Sequence, residues 1–270
     1  MSEQDRKGGR GPHTAMFEGS EGRSPCSAAL TVLPIETKKK DLVLRNNAYD
    51  IIPNHPARVL LVGQSKSGKT NLMLNLLTKN EFYKGYFKDV VIISPNLQTD
   101  ESWEHYTEGL NKYQKQLLFE EYDEEAIDTI IDLQRKCVEK SGIENSSRML
   151  FILDDVLEQK SLMNSRLIQT LMTAGRHINI SVWIGTQAYK RIPKTWRMQA
   201  SNIIIFNVSD TELKSLAEDY TPVWCDEKKF RKICKKLYKK KYTFVHINKQ
   251  VSPELMMREN FDNIIVGQEL

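Results

Sequence analysis

The feature that most constrains this chain is an eight-residue segment, Gly63-Gln64-Ser65-Lys66-Ser67-Gly68-Lys69-Thr70. It fits the pattern GxxxxGK[ST] and follows the short apolar run Arg58–Val62. Apolar residues then recur at Leu72, Met73, Leu76 and Leu77, a helical spacing. A strand, a glycine-rich turn and a helix in that order form a cradle for phosphate. The glycines allow successive N–H groups to turn inward, and the helix adds the positive end of its dipole. Lys69 would supply charge to the β and γ phosphates, and the Thr70 hydroxyl would ligate Mg²⁺.

The rest of the chain alternates in kind. Buried-strand patterns are predicted at 90–95, 148–154, 179–185, 201–208 and 242–247. Helical patterns are predicted at 165–173, 210–220 and 226–240, and the charged segment 101–141 reads as mostly helical. Alternation of this kind predicts an α/β fold, with a mostly parallel central sheet flanked by helices. Ligands in such sheets sit at the carboxyl ends of the strands, and the candidate catalytic residues are expected there or just beyond. The expected organisation is a disordered or docking arm over 1–40, a P-loop ATPase domain over 41–250, and a C-terminal tail over 251–270, loosely ordered from 256 onward.

Two further motifs extend the phosphate site. Met149-LFIL-Asp154-Asp155 is a hydrophobic run ending in twin carboxylates. Asp154 suits Mg²⁺, and Asp155 stands where a carboxylate can orient the attacking water. Without a cation the pair would repel, and its alternative is a plain loop start or helix cap. Val182-WIG-Thr186-Gln187 ends another strand in an amide able to bond both the γ-phosphate and the lytic water; an ordinary strand-end glutamine is the alternative. Arg176, in Gly175-Arg176-His177, is a candidate arginine finger toward a neighbouring subunit, or else a surface arginine; His177 reads as local packing.

Charge and cysteine usage bound the partners. The 39 basic and 35 acidic residues leave a net +4, too small by itself to imply nucleic acid. Charge is concentrated, however. Lys228–Lys241 holds nine basic residues, with Phe230, Ile233, Cys234, Leu237 and Tyr238 at helical spacing. Such a helix packs one face and can offer the other to DNA phosphates, or simply to solvent. Lys190, Arg191, Lys194 and Arg197 form a second basic stretch just after Gln187. Cys26, Cys137, Cys225 and Cys234 lack zinc-binding spacing and read as reduced thiols. The polar N-terminus lacks a signal sequence and no apolar run approaches membrane-spanning length, so a soluble intracellular protein with no membrane span is expected.

Taken in order, GQSKSGKT, LFILDDV, TAGRHINISVWIGTQAYKRIP and ASNIIIFNVSD resemble the poxvirus-type DNA-packaging ATPases. These belong to the FtsK–HerA branch of P-loop motors, with relatives in giant viruses, virophages and Polinton-like elements. The resemblance spans roughly residues 58–208, and GRHxNIS…TQ is its most specific part. It implies a RecA-like fold and an oligomeric ring that hydrolyses ATP with Mg²⁺ around double-stranded DNA. It also implies capsid or other packaging partners, in the host cytoplasm (a viral factory) or the virion. Lys69, Thr70, Asp154, Asp155 and Gln187 match the family's site positions, and Arg176 its finger. The wider branch has Asp-Glu where this chain has Asp-Asp. Other readings compatible with the P-loop are a DNA-transfer or replication translocase, a small-molecule kinase, and a nucleotide-dependent scaffold.

Overall fold

A computed structural model describes residues 52–265. The expected arm over 1–40 and most of the lead-in to the first strand lie outside the described residues.

The strands are β1 (Arg58–Val62), β2 (Asp89–Ile93), β3 (Leu118–Phe119), β4 (Met149–Asp154), β5 (Ile180–Thr186), β6 (Asn202–Ile205), β7 (Val245–Asn248), β8 (Met257–Glu259) and β9 (Asn263–Ile264). The helices are α1 (Lys69–Thr78), α2 (Glu101–Glu108), α3 (Lys112–Lys115), α4 (Glu124–Ser141), α5 (Lys160–Asn164), α6 (Arg166–Ala174), α7 (Lys194–Gln199), α8 (Asp210–Tyr220) and α9 (Glu227–Leu237). All strands join one sheet in the order β3-β2-β4-β5-β1-β6-β7-β8-β9. Pairing is parallel from β3 to β6 and antiparallel from β6 to β9. The predicted α/β architecture is therefore the observed one.

Burial explains why the strands read as unbroken apolar runs. Along β1, Leu60 and Val62 pack into one core with Ile127 of α4, Leu171 of α6 and Leu216 of α8. Val59 and Leu61, between them, pack into a second core with Met73 and Leu76 of α1 and Trp103 of α2. Successive side chains point to opposite faces, so a sheet covered on both sides needs apolar residues at every position.

Residues 101–141 are mostly helical, as expected, in three helices with one short strand between the second and third. Asp100, Asn111 and Asp123 each start a helix by accepting a backbone N–H, from Ser102, Gln114 and Ala126. Leu118–Phe119 then pairs with β2 as the sheet's edge. The segment read as a loose tail is instead partly ordered: β8 and β9 extend the antiparallel edge, with Met257 fully buried. Both segments are polar by sequence, and their short strands exist only because a neighbouring strand offers unpaired backbone groups.

Candidate functional site

The parallel register brings the carboxyl ends of β1, β4, β5 and β6 side by side. Val62 pairs with Thr186 and with Ile205, and Asp154 with Gly185. From that edge the Gly63–Thr70 turn rises. Its Gly63 N–H donates to the Thr186 carbonyl (3.1 Å) and its Gln64 N–H to the Asn207 carbonyl (2.9 Å). The turn is thus tied to the strands on both sides of β1. A Cβ on Gly63 would stand 2.5 Å from Ser67 Oγ and 2.7 Å from Phe206 Cβ. Gly68 sits at φ 106°, a conformation side chains resist, and caps α1. Lys69 is buried, and its Nζ donates to the carbonyls of Gly63 (2.9 Å) and Gln64 (3.1 Å). Burial lowers its pKa, while Asp155 and Asp154 act against that shift.

Asp154 ends β4 with 3% of its surface exposed. Its Oδ2 accepts from Thr70 Oγ1 (3.2 Å) and from the indole N–H of Trp103 (3.1 Å). Its Oδ1 is buried with no partner among the described residues. Burial, and next the neighbouring Asp155, push the carboxyl up to about 6, against the pull of Trp103, Lys69 and Thr70. A Cβ on Gly185 would collide with Asp154 Oδ1, so only glycine at that position leaves the acid its room. A buried carboxylate with an orphaned oxygen, beside a threonine hydroxyl, suits a hard divalent cation. No cluster of three or more His, Cys, Asp or Glu side chains fit to hold a metal occurs among the described residues. Mg²⁺ takes few protein ligands and completes its shell with water and phosphate.

Asp155 follows in a left-handed conformation (φ 52°), its N–H donating to the Gly185 carbonyl (2.9 Å). The turn aims its carboxylate at Gln187, whose Nε2 donates to Asp155 Oδ2 (3.1 Å). Asp154 therefore faces inward to Thr70, while Asp155 and the exposed Gln187 meet on the open rim.

Arg176 lies elsewhere. It is exposed on the turn before β5, at the amino end of the sheet. The seven residues of β5 separate it from Gln187, about 20 Å at the usual strand rise. The expectation that all candidate catalytic residues cluster at strand carboxyl ends fails for this one. Within its own chain Arg176 cannot reach the phosphate turn. His177 is exposed beside it, contrary to its reading as packing. The adjacent Asn179 and Ser181 are scaffold. Asn179 Nδ2 donates to the carbonyls of Ser146 and Ser147, and its Oδ1 accepts from His55 Nε2 (2.8 Å). Ser181 Oγ accepts from the Ala57 N–H (2.9 Å) and donates to His55 Nδ1 (2.7 Å).

Trp103 was missed because nothing in its charged helical segment signals a site; only tertiary packing brings its indole to Asp154. The second basic stretch is partly spent on internal pairs. Arg191 binds Glu158, just past Asp155, and the Leu157 carbonyl, while Arg197 binds Asp219 (2.5 Å). On α9, Phe230, Ile233 and Cys234 are buried; Lys228, Lys232 and Lys236 are exposed, and Lys235 pairs with Asp210 (2.6 Å).

The family model described as "Poxvirus A32 protein" matches residues 45–262. This chain belongs to that family. The resemblance carried by the four motifs over roughly 58–208 is thus borne out, and the match runs beyond them to residue 262. The DNA packaging protein OPG160 of Vaccinia virus (strain Copenhagen) is 27% identical over 161 residues, 60% of this chain and 57% of that protein. The uncharacterized protein 075L of Invertebrate iridescent virus 6 is 26% identical over 168 residues, 62% of this chain and 61% of its own length. The chain spans less than two thirds of the relatives it matches. Among solved structures, the genome packaging NTPase B204 from Sulfolobus turreted icosahedral virus 2, in complex with sulfate, superposes with TM-score 0.54 at 18% identity. That match covers 79% of this chain and 99% of B204. Its complex with ATP-gammaS gives TM-score 0.51 at 18% identity, covering 77% and 98%. At these identities the likeness is one of fold. No described helix is long and apolar enough to cross a membrane.

Proposed function

We propose that this chain hydrolyses ATP with Mg²⁺ and couples the reaction to moving double-stranded DNA, packaging a viral genome into its capsid. One observation carries the reading. The glycine turn with Lys69 and Thr70, the buried Asp154, and the Asp155–Gln187 pair converge on adjacent strand ends, although up to 124 residues separate them in sequence (Gly63 to Gln187). The family membership and the packaging names of its relatives support the same reading.

In this scheme the N–H groups of Gln64–Thr70 bind the phosphates, and Lys69 exchanges its bonds to the loop carbonyls for phosphate oxygens. Thr70 and Asp154 would hold Mg²⁺, which neutralises charge on the β and γ oxygens. Asp155 orients water for attack, and Gln187, already bonded to it, senses whether the γ-phosphate is present. Arg176 acts, if as a finger, on the nucleotide of an adjacent copy in a homo-oligomeric ring, since its own site is out of reach. The exposed lysines of α9 would contact DNA phosphates without reading sequence.

The experiment is phosphate release with and without double-stranded DNA, with the mass of the assembly measured alongside. Wild type should turn over faster with DNA. Lys69→Ala should abolish turnover and leave the circular dichroism spectrum unchanged. Turnover at the wild-type rate in Lys69→Ala refutes the phosphate role. Phosphate transfer to a nucleoside, indifferent to DNA, favours a kinase instead.

A further inference from the structure

The phosphate turn has two flanks, and the proposed chemistry uses one. Asp154, Asp155 and Gln187 stand on the β4–β5 side of β1. On the β6–β7 side lies a cavity of about 310 Å³ that no motif accounts for. Its lining joins Gln64–Ser67 to Asn207 after β6 and to the Lys240–Thr243 turn before β7.

That turn is built rather than loose. Tyr242 is held at φ 61°, a strained conformation for a bulky residue. The constraint comes from β7 and the C-terminal strands. Phe244 N–H donates to Asn260 Oδ1 (3.2 Å), and Asn260 N–H donates to the Phe244 carbonyl (2.8 Å). Beneath, the rings of Phe206, Phe244 and Phe261 pack against one another, tilted and edge-to-face, at centroid separations of 5.2 and 5.0 Å. Tyr242 is 68% exposed yet lies beside the phosphate turn, its ring Cδ1 3.3 Å from where a Gly68 Cβ would stand. Ser67, on the same wall, has a buried Oγ with no partner among the described residues.

An exposed aromatic ring, a threonine and a lysine on an anchored turn beside a phosphate cradle suit one ligand class. Base rings stack on aromatic faces whatever their sequence, and the hydroxyls and the lysine can meet a ribose or an α-phosphate. The γ-phosphate end of a triphosphate belongs with the acids on β4 and β5, so the other end leads toward β6 and β7. We propose that this cavity is the nucleoside subsite, with Tyr242 stacking on the base and Thr243 and Lys241 around the ribose and α-phosphate, while Lys240 stays paired with Glu259 (3.0 Å) and helps hold the turn. The inference rests on the phosphate reading above and names the substrate's other half. It also gives β8 and β9 a purpose: they brace the turn that holds the ring.

The test compares ADP with inorganic pyrophosphate, which shares its phosphates but lacks the nucleoside, by calorimetry on the full chain. Tyr242→Ala should weaken ADP binding about tenfold and leave pyrophosphate unchanged, and Tyr242→Phe should retain ADP affinity. Irradiated 8-azido-ADP should label the peptide carrying residues 240–243. Equal weakening of both ligands, or of neither, overturns the subsite. So does labelling elsewhere while duplex DNA protects Tyr242, which would give the cavity to nucleic acid. Failure of wild type to bind pyrophosphate at all sinks the phosphate reading itself, a result distinct from the others.

Discussion

Adding one methyl group at Gly185 should damage both stability and catalysis, for a reason visible in one contact. Gly185 lies on β5 opposite Asp154, and a Cβ there collides with the Asp154 Oδ1 that has no partner. Met73 Cε, 3.3 Å from the same Cβ, is the end of a flexible side chain and can yield. The carboxylate cannot move freely, because Thr70 and Trp103 hold its other oxygen. Overfilling a packed site of this kind costs about 1–3 kcal/mol. In a domain of this size that is roughly 2–12 °C in melting temperature. Displacing Asp154 by about 1 Å from Thr70 should also lower ATP turnover, on the order of a hundredfold. Denaturant unfolding of Gly185→Ala and Asp154→Ala, singly and together, separates the causes. With the acid gone the collision is gone, so Gly185→Ala should become neutral or slightly stabilising, as expected from a less flexible unfolded chain. The same loss in both backgrounds would refute the argument and put the cost on the β5 backbone.

Replacing Lys228, Lys232, Lys236 and Lys239 with glutamine should weaken duplex DNA binding. It should also flatten the log–log salt dependence by up to about 0.9 per lost phosphate contact, and an unchanged slope removes α9 and the lysines just after it from the DNA path. Acid should unfold the protein partly through two buried histidines. Burial lowers His55 to about 4 and His246 to about 3, so both stay neutral in the native state while the unfolded chain protonates below about 6.5. Their contribution is therefore full above that value and is lost as pH falls toward the native values. The slope is up to about 1.4 kcal/mol per pH unit for each histidine. NMR titration checks this directly, and a native midpoint near 6.5 for either ring contradicts it. Asn179→Ala should cost at least about 2 kcal/mol in unfolding experiments, because it strands the His55 ring and the 146–147 carbonyls.

Much of the fold was legible in the sequence because a doubly covered parallel sheet needs continuous apolar strands, and β1, β2, β4, β5 and β6 supply them. The candidate site motifs were equally local: Gly63–Thr70, Asp154–Asp155 and Gln187 each stand at the end of a recognisable strand. Sequence could not show what depends on distant backbone. Leu118–Phe119 and residues 257–264 become strands only against β2 and β7, which lend them partners. Folding likewise brings Trp103 to Asp154 and Tyr242 to Gly68, and separates Arg176 from the site its motif neighbours share. A motif fixes chemistry along the chain, whereas reach across space is set by strand order and strand direction. Residues at the two ends of β5 are close in sequence yet lie at opposite ends of the parallel strands.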